Sequence, residues 1–165
     1  MIDAAAFKSA VGRFATGVTV VTAQSATTVH GMTANAFTSV SLDPPLVLVN
    51  VARSARMHGV LSDAGAFTVN VLAEDQAWLA SWFAHPDRPR GRSQFAEIAV
   101  RPAVHSGAPL LEGALAHLDC TVHDVLPGGD HDVVLGRVVD LAKGPPARPL
   151  LYFEGRYGRW GPELD

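Results

Sequence analysis

Residues 31–51 read GMTANAFTSVSLDPPLVLVNV, and their pattern decides the fold. Thr33, Asn35, Phe37, Ser39 and Ser41 alternate with Ala34, Ala36, Thr38, Val40 and Leu42. A period of two predicts one extended strand up to Leu42. Asp43-Pro44-Pro45 then interrupts it, because proline donates no hydrogen bond and restricts its predecessor to extended geometry. Residues 46–51 form an apolar, branched run with Asn50 as its only polar member. Such a run predicts a second strand, buried on both faces. The first strand carries small hydroxyl and amide groups where a core strand would carry valine and isoleucine. Those groups, with their backbone, suit a flat polar heterocycle. The threonine-rich outer face of a barrel strand would read the same way.

Upstream, residues 3–16 predict a helix capped by Asp3, with Phe7, Val11 and Phe14 on one face and Gly17 as its stop. Residues 18–23 are β-branched and predict a strand, followed by a turn at 24–27. Downstream of Val51 comes Ala52-Arg53-Ser54-Ala55-Arg56, then a short helix to about Ser62. Ser54 is the expected cap, and arginines flank the helix start. Free N–H groups with nearby arginine form an anion site. Residues 67–72 predict a strand. Residues 74–84 predict a helix whose Trp78, Leu79, Trp82 and Phe83 make a face for core or interface.

The segment HPDRPRGRS, residues 85–93, reads as an irregular loop. Leu115, His117, Asp119, Thr121 and His123 alternate with Ala116, Leu118, Cys120 and Val122 in the next strand. The spacing of His117, Cys120 and His123 does not make a metal site. Alternation turns Cys120 away from both histidines, so Cys120 is expected in the core. Residues 127–132 predict a turn and 133–141 the return strand of a hairpin. Residues 144–149 are a loop.

The chain has 165 residues, 48% hydrophobic and 18% charged, which fits one globular domain over residues 1–165. A net charge of −3 gives no nucleic-acid footprint. One cysteine excludes an intrachain disulfide framework and fits a reducing compartment. No apolar run spans a bilayer. Asp3, Lys8 and Arg13 interrupt the N-terminal region, so it does not read as a signal peptide. A cytoplasmic protein is expected. The strand-followed dinucleotide fingerprint and the phosphate loop G-x-x-x-x-G-K-[ST] are both missing, which disfavours a Rossmann enzyme. No nucleophile elbow surrounds any serine.

Four segments, in order, resemble the short-chain flavin reductases, the NAD(P)H-dependent partners of two-component flavin monooxygenases. They are RFATGVTVVT at 13–22, TANAFTSVSLDPPLVLVNV at 33–51, GGDHDVVLGRV at 128–138 and PLLYFEGRYGRW at 149–160. The resemblance implies a mainly β fold, a split β-barrel of the FMN-binding type with a few peripheral helices, assembled as a homodimer. It implies an NAD(P)H:flavin oxidoreductase that supplies reduced FMN or FAD to a separate monooxygenase, with NADH or NADPH as co-substrate. The cofactor residues it implies are Thr33, Asn35, Ala36, Thr38, Ser39, Asn50, Ala52, Arg53, Ser54, Arg56 and Phe95. Gly129, His131 and Tyr157 would meet the nicotinamide nucleotide, with His131 positioning it and Tyr157 nearby. In relatives the loop after residue 85 ends in a basic residue before phenylalanine. Here Gln94 stands there, and Arg90 or Arg92 would have to compensate.

Hydride transfer needs no acid or base from the protein, because the cofactors carry that chemistry. The protein must align the rings and offer donors to charge on the reduced ring, a task that suits Thr38 and Ser39. Two other readings use the same barrel. One is a flavin carrier or sensor without turnover, which would leave the GDH turn without a purpose. The other is an oxidase of the pyridoxamine-phosphate type, which fits the basic phosphate cluster but not the GDH or PLLYFEG segments.

Overall fold

The proline break falls where the pattern places it. In the computed structural model, which describes residues 2–161, Asp43 and Pro44 share a cis peptide bond between two antiparallel strands. In chain order the elements are α1 Ala4–Val11, β1 Thr16–Gly17, β2 Thr19–Gln24, β3 Val29–Ala34, β4 Phe37–Leu42, β5 Pro45–Ala52, α2 Arg56–Ala64, β6 Ala66–Val71, α3 Ala77–Ala84, β7 Val100–Pro102, β8 Pro109–Leu111, β9 Ala116–Gly128, β10 His131–Lys143, β11 Leu150–Phe153 and β12 Arg156–Arg159. Short 3-10 turns lie at Glu74–Gln76 and Gly91–Phe95.

Seven strands form one sheet in the order β3-β2-β6-β9-β10-β5-β4. Its two edge strands, β3 and β4, are consecutive in the chain, so only Asn35 and Ala36 separate them. The sheet therefore curls until its two edges share one core, although β3 and β4 form no ladder with each other. Ala34, Val21, Phe67, Cys120, Val134, Val49 and Phe37, one residue from each strand, pack into a single cluster. A flat sheet cannot bring its outermost strands onto one core; a split barrel can. Met57 and Leu61 of α2 join the same core. Val18, Val20, Leu72, Leu79, Phe83, Leu111 and Leu150 form a second core outside the barrel. Val20 and Val21 point into different cores, as strand alternation requires. Gly31 lets α3 approach β3, since a Cβ there would lie 2.5 Å from Phe83 Cε1. The smaller sheets are β1-β11-β12 and β7-β8.

Several sequence expectations need correction. The strand expected across residues 33–42 breaks at Asn35–Ala36, because closing the barrel turns the chain there. The Ala36 carbonyl accepts from the Asn50 N–H at 3.1 Å. β5 is not buried on both faces: Val47, Val49 and Val51 are buried, while the alternate residues from Leu46 to Ala52 are half-covered. Asp3 does cap α1, accepting from Ala6 N at 2.9 Å. The helix stops at Gly12, however, and Gly17 pairs with Leu151 in a strand. α1 buries none of its residues, so no packing extends it against the cost of a short helix. Ser54 is not the cap of α2; Ala55 holds that position and makes no side-chain cap bond. The aromatic helix turns Leu79 and Phe83 inward and leaves Trp78 57% exposed. The hairpin is longer than expected. Its strands continue to Gly128 and His131, leaving Gly129 (φ 72°) and Asp130 as a two-residue turn. Cys120 lies fully buried in the barrel core.

Candidate functional site

The corner at Asn35–Ala36 starts a polar rim along one side of the barrel. Asn50 sits across from it on β5, opposite Val133 of β10. Its Oδ1 is buried and has no hydrogen-bond partner. A buried amide oxygen without a donor carries a desolvation cost of about 1–3 kcal/mol, which a ligand N–H at the rim would offset. Thr33 is already engaged, its hydroxyl donating to the Ala80 carbonyl at 2.6 Å. Thr38 and Ser39 stand exposed on β4.

Tyr157 faces this corner from β12. It stacks obliquely on Tyr152 with ring centroids 5.6 Å apart. The two tyrosines, Val18, Thr33, Asn35 and Ala84 line a cleft of about 190 Å³. Burial, then Tyr152 alongside, raises the Tyr157 pKa above 10 despite a hydrogen bond from Ser81 that lowers it. Tyr157 is therefore a neutral phenol at physiological pH. A larger cleft of about 600 Å³ shares Asn35 and Tyr152 and runs beneath α1 and the β11–β12 turn.

At the other end of the rim, the GDH turn meets the start of α2. His131 pairs with Ala52, and the Arg53 N–H donates to the Asp130 carbonyl at 3.1 Å. Arg53 and Asp132, 79 residues apart in the chain, are joined by a 2.8 Å bond from Nε to Oδ1. Arg53 thus spends one donor on a carboxylate. Ser54 and Arg56 remain exposed beside a helix start whose N–H groups have no side-chain cap. His131 Nδ1 lies 2.7 Å from Asp130 Oδ1. That bond, then the His131 charge, holds the Asp130 carboxyl below its ordinary value. Gly129 shapes the turn and His131 is half-buried. Among the described residues no hydrogen bond or ring contact joins His131 to Tyr157. They stand at opposite ends of the rim, linked through Asn35, Ala36, Asn50 and Ala52.

The end of the loop after residue 85 folds inward. Phe95 is a core residue, 8% exposed, packed on Phe83 at 5.3 Å, so it presents no free ring face to a cofactor. Gln94 is 1% exposed and ties Gly31 N, Val29 O and Gly91 O together; it is a structural staple. Arg90 and Arg92 are exposed. The arginine that the loop places inward is Arg88, which sequence reading missed. It is 9% exposed and donates to the carbonyls of His85 and Gly31 and to His30 Nε2. No carboxylate pairs with it among the described residues, and its Nε has no partner. Arg56 is close enough to act on both His30 and Arg88. Two guanidinium groups thus share one neighbourhood with a neutral imidazole. No periodicity in a Pro- and Gly-containing loop reports which arginine turns inward.

Burial, then Arg88 and then Arg56, lowers the His30 pKa from 6.5 to about 4. His30 must therefore accept from Arg88 as a neutral ring. The unfolded chain protonates this histidine below pH 6.5 and the folded chain does not. The stability it contributes is complete above 6.5 and is lost as pH falls toward about 4. His30→Gln keeps an acceptor for Arg88 but removes the titration. Urea unfolding at about pH 7.5 and about pH 5 should show the wild type losing roughly 1 kcal/mol more than the variant, after allowance for solvent screening. Equal acid losses would remove His30 as the cause.

The sequence profile of the flavin reductase like domain matches residues 11–161. The chain is 43% identical over 163 residues to a Streptomyces globisporus protein named NADH-dependent FAD reductase, covering 99% of this chain and 89% of that one. BorF, the flavin reductase component of a bacterial two-component tryptophan halogenase, superposes with a TM-score of 0.92 at 40% identity, over 98% of this chain and 100% of BorF. The NADH:FAD oxidoreductase SgcE6 of Streptomyces globisporus, solved with NAD and FAD fragments, gives 0.91 at 41% identity, over 99% and 96%.

Proposed function

The chain belongs to the flavin reductase-like domain family, and we propose that it is an NADH-dependent flavin reductase supplying reduced flavin to a separate monooxygenase. The observation that carries this reading is the orphaned Asn50 Oδ1 at the Asn35–Ala36 corner, with an uncapped, arginine-flanked helix start at the same rim. A flavin offers an imide N–H to the first and a phosphate to the second. When both cofactors are bound they supply the redox chemistry, a hydride passing from nicotinamide C4 to flavin N5.

The residues then have distinct tasks. Asn50, with the backbone of Asn35, Ala36 and Ala52, orients the ring edge. The exposed hydroxyls of Thr38 and Ser39 offer donors to charge on the reduced ring. Thr33, fixed on Ala80, shapes the cleft wall rather than lending its hydroxyl. Ser54, Arg56 and the α2 N–H groups take the flavin phosphate, with Arg88 adding positive charge. Gly129 and His131 would receive the nicotinamide nucleotide at one end of the rim, and Tyr157 would serve it from the other. FAD and NADH are the cofactors the relatives' names favour; FMN presents the same ring and first phosphate.

The protein acts as one domain in the cytoplasm and as a homodimer. Phe7, Val11 and Phe14, at and beyond α1, are each more than half exposed among the described residues, and an exposed apolar patch of this kind marks an interface. No helix of the described residues is long and apolar enough to cross a membrane.

The test is steady-state oxidation of NADH and NADPH with and without FAD, FMN or riboflavin. Turnover only in the presence of flavin is expected. Folded protein that binds flavin but turns over with neither nicotinamide would leave the carrier reading in its place.

A further inference from the structure

Asp132 follows His131 at the start of β10, yet alternation turns the two side chains to opposite faces. Asp132 faces α2. Its side chain is 14% exposed and both carboxylate oxygens are engaged. Oδ1 accepts from Arg53 Nε at 2.8 Å, and Oδ2 pairs with His58 Nε2 at 2.7 Å. The bond to His58, then that to Arg53, holds its carboxyl below the ordinary value, so it is an anion at neutral pH. One carboxylate therefore bolts the GDH turn to the loop before α2 and to α2 itself. Otherwise the turn is held by backbone pairing alone, to β5 at Ala52 and Val51 and through the Arg53 N–H to the Asp130 carbonyl. The turn has two residues, and β9 beside it is exposed from His123 to Gly128.

We infer that Asp132, with His58, is a positioning residue for hydride transfer: it holds the His131 turn in register with the helix start that takes the flavin phosphate. It also occupies Arg53, directing that guanidinium away from the phosphate. This role rests on the placement of nicotinamide at His131 proposed above. Asp132 itself touches neither cofactor, because it lies on the face opposite His131. Its effect must pass through the backbone of the turn.

Asp132→Ala, assayed by stopped-flow with saturating flavin, should raise the KM for NADH about tenfold, the scale of one lost charge-assisted bond. The limiting reduction rate should stay within about twofold, since bound nicotinamide can still reach the same position. His58→Ala should move the KM in the same direction, roughly threefold. Asp132→Asn keeps an acceptor for Arg53 and should restore most of the loss. Flavin affinity, read by fluorescence quenching, should hold or tighten in Asp132→Ala, because Arg53 is released. A purely structural role predicts the reverse: a lower Tm with parallel losses of NADH and flavin. That pattern, or an unchanged NADH KM in both alanine variants, overturns the inference. His131→Ala separates the two levels. If it raises the NADH KM while Asp132→Ala and His58→Ala do not, the latch fails and the nicotinamide site stands. If it changes neither the NADH KM nor the reduction rate, the nicotinamide site fails and the latch with it.

Discussion

Arg56→Ala is expected to weaken binding of a flavin nucleotide by about ten- to a hundredfold while leaving riboflavin nearly unaffected. Arg56 is the first residue of α2 and is exposed. The cap position before it holds alanine, so the first N–H groups of the helix are left for solvent or a ligand. A phosphate placed there meets those N–H groups, the Arg56 guanidinium and the positive field of Arg88. Arg88 is fixed by two carbonyls and His30 and has no anionic partner among the described residues. Arg53 contributes less, since Asp132 holds its Nε. A charge-assisted bond is worth roughly 1.5–3 kcal/mol, and each 1.4 kcal/mol is about tenfold. Riboflavin lacks the phosphate and is the internal control. Titration of FAD, FMN and riboflavin by flavin fluorescence reads all three. Equal losses for riboflavin and the nucleotides would mean that Arg56 shapes the pocket and does not meet phosphate.

What the sequence disclosed and what it hid divide along physical lines. Local rules were legible. The Asp43-Pro44-Pro45 break and the Asp3 cap depend on a few neighbouring residues and lie where the pattern puts them, and the hairpin expected around residues 127–132 is present with a tighter turn, Gly129–Asp130. Closure of the barrel was not legible in strand periodicity. A run alternating from Thr33 to Leu42 looks continuous, yet the seam between β3 and β4 falls inside it, because the sheet order is a property of all seven strands. The loop was least legible. Three arginines, Arg88, Arg90 and Arg92, lie between residues 85 and 95, and nothing in their spacing selects Arg88 for burial. The same folding back buries Gln94 and Phe95. α1 shows a further limit. Its apolar residues were visible, but nothing among the described residues buries them.

His131→Ala is expected to lower kcat/KM for NADH by about ten- to a hundredfold while flavin affinity stays near wild type. The two-residue turn requires Gly129 at φ 72° but places no demand on histidine at the next strand position. The ring nevertheless has one side-chain partner. Its Nδ1 lies 2.7 Å from Asp130 Oδ1, and as the Nδ1–H donor it would leave Nε2 as an acceptor. Among the described residues Nε2 has no protein partner, so it is available to a ligand group. Behind it, the pairing of His131 with Ala52 and the anchoring of Asp132 tie the turn to the loop before α2. Such a residue can align nicotinamide but has no proton to move, because hydride transfer requires none. The loss should therefore fall on NADH binding or on the reduction step, and should change little with pH. Stopped-flow reduction at saturating flavin, over a range of NADH concentrations and at several pH values, resolves these terms. Wild-type reduction rates at every NADH concentration would leave His131 as a turn residue and move the nicotinamide pocket to the Tyr152–Tyr157 end of the rim. A large loss that appears only when the histidine is protonated would point to a charge contact with the nucleotide phosphates instead of ring alignment.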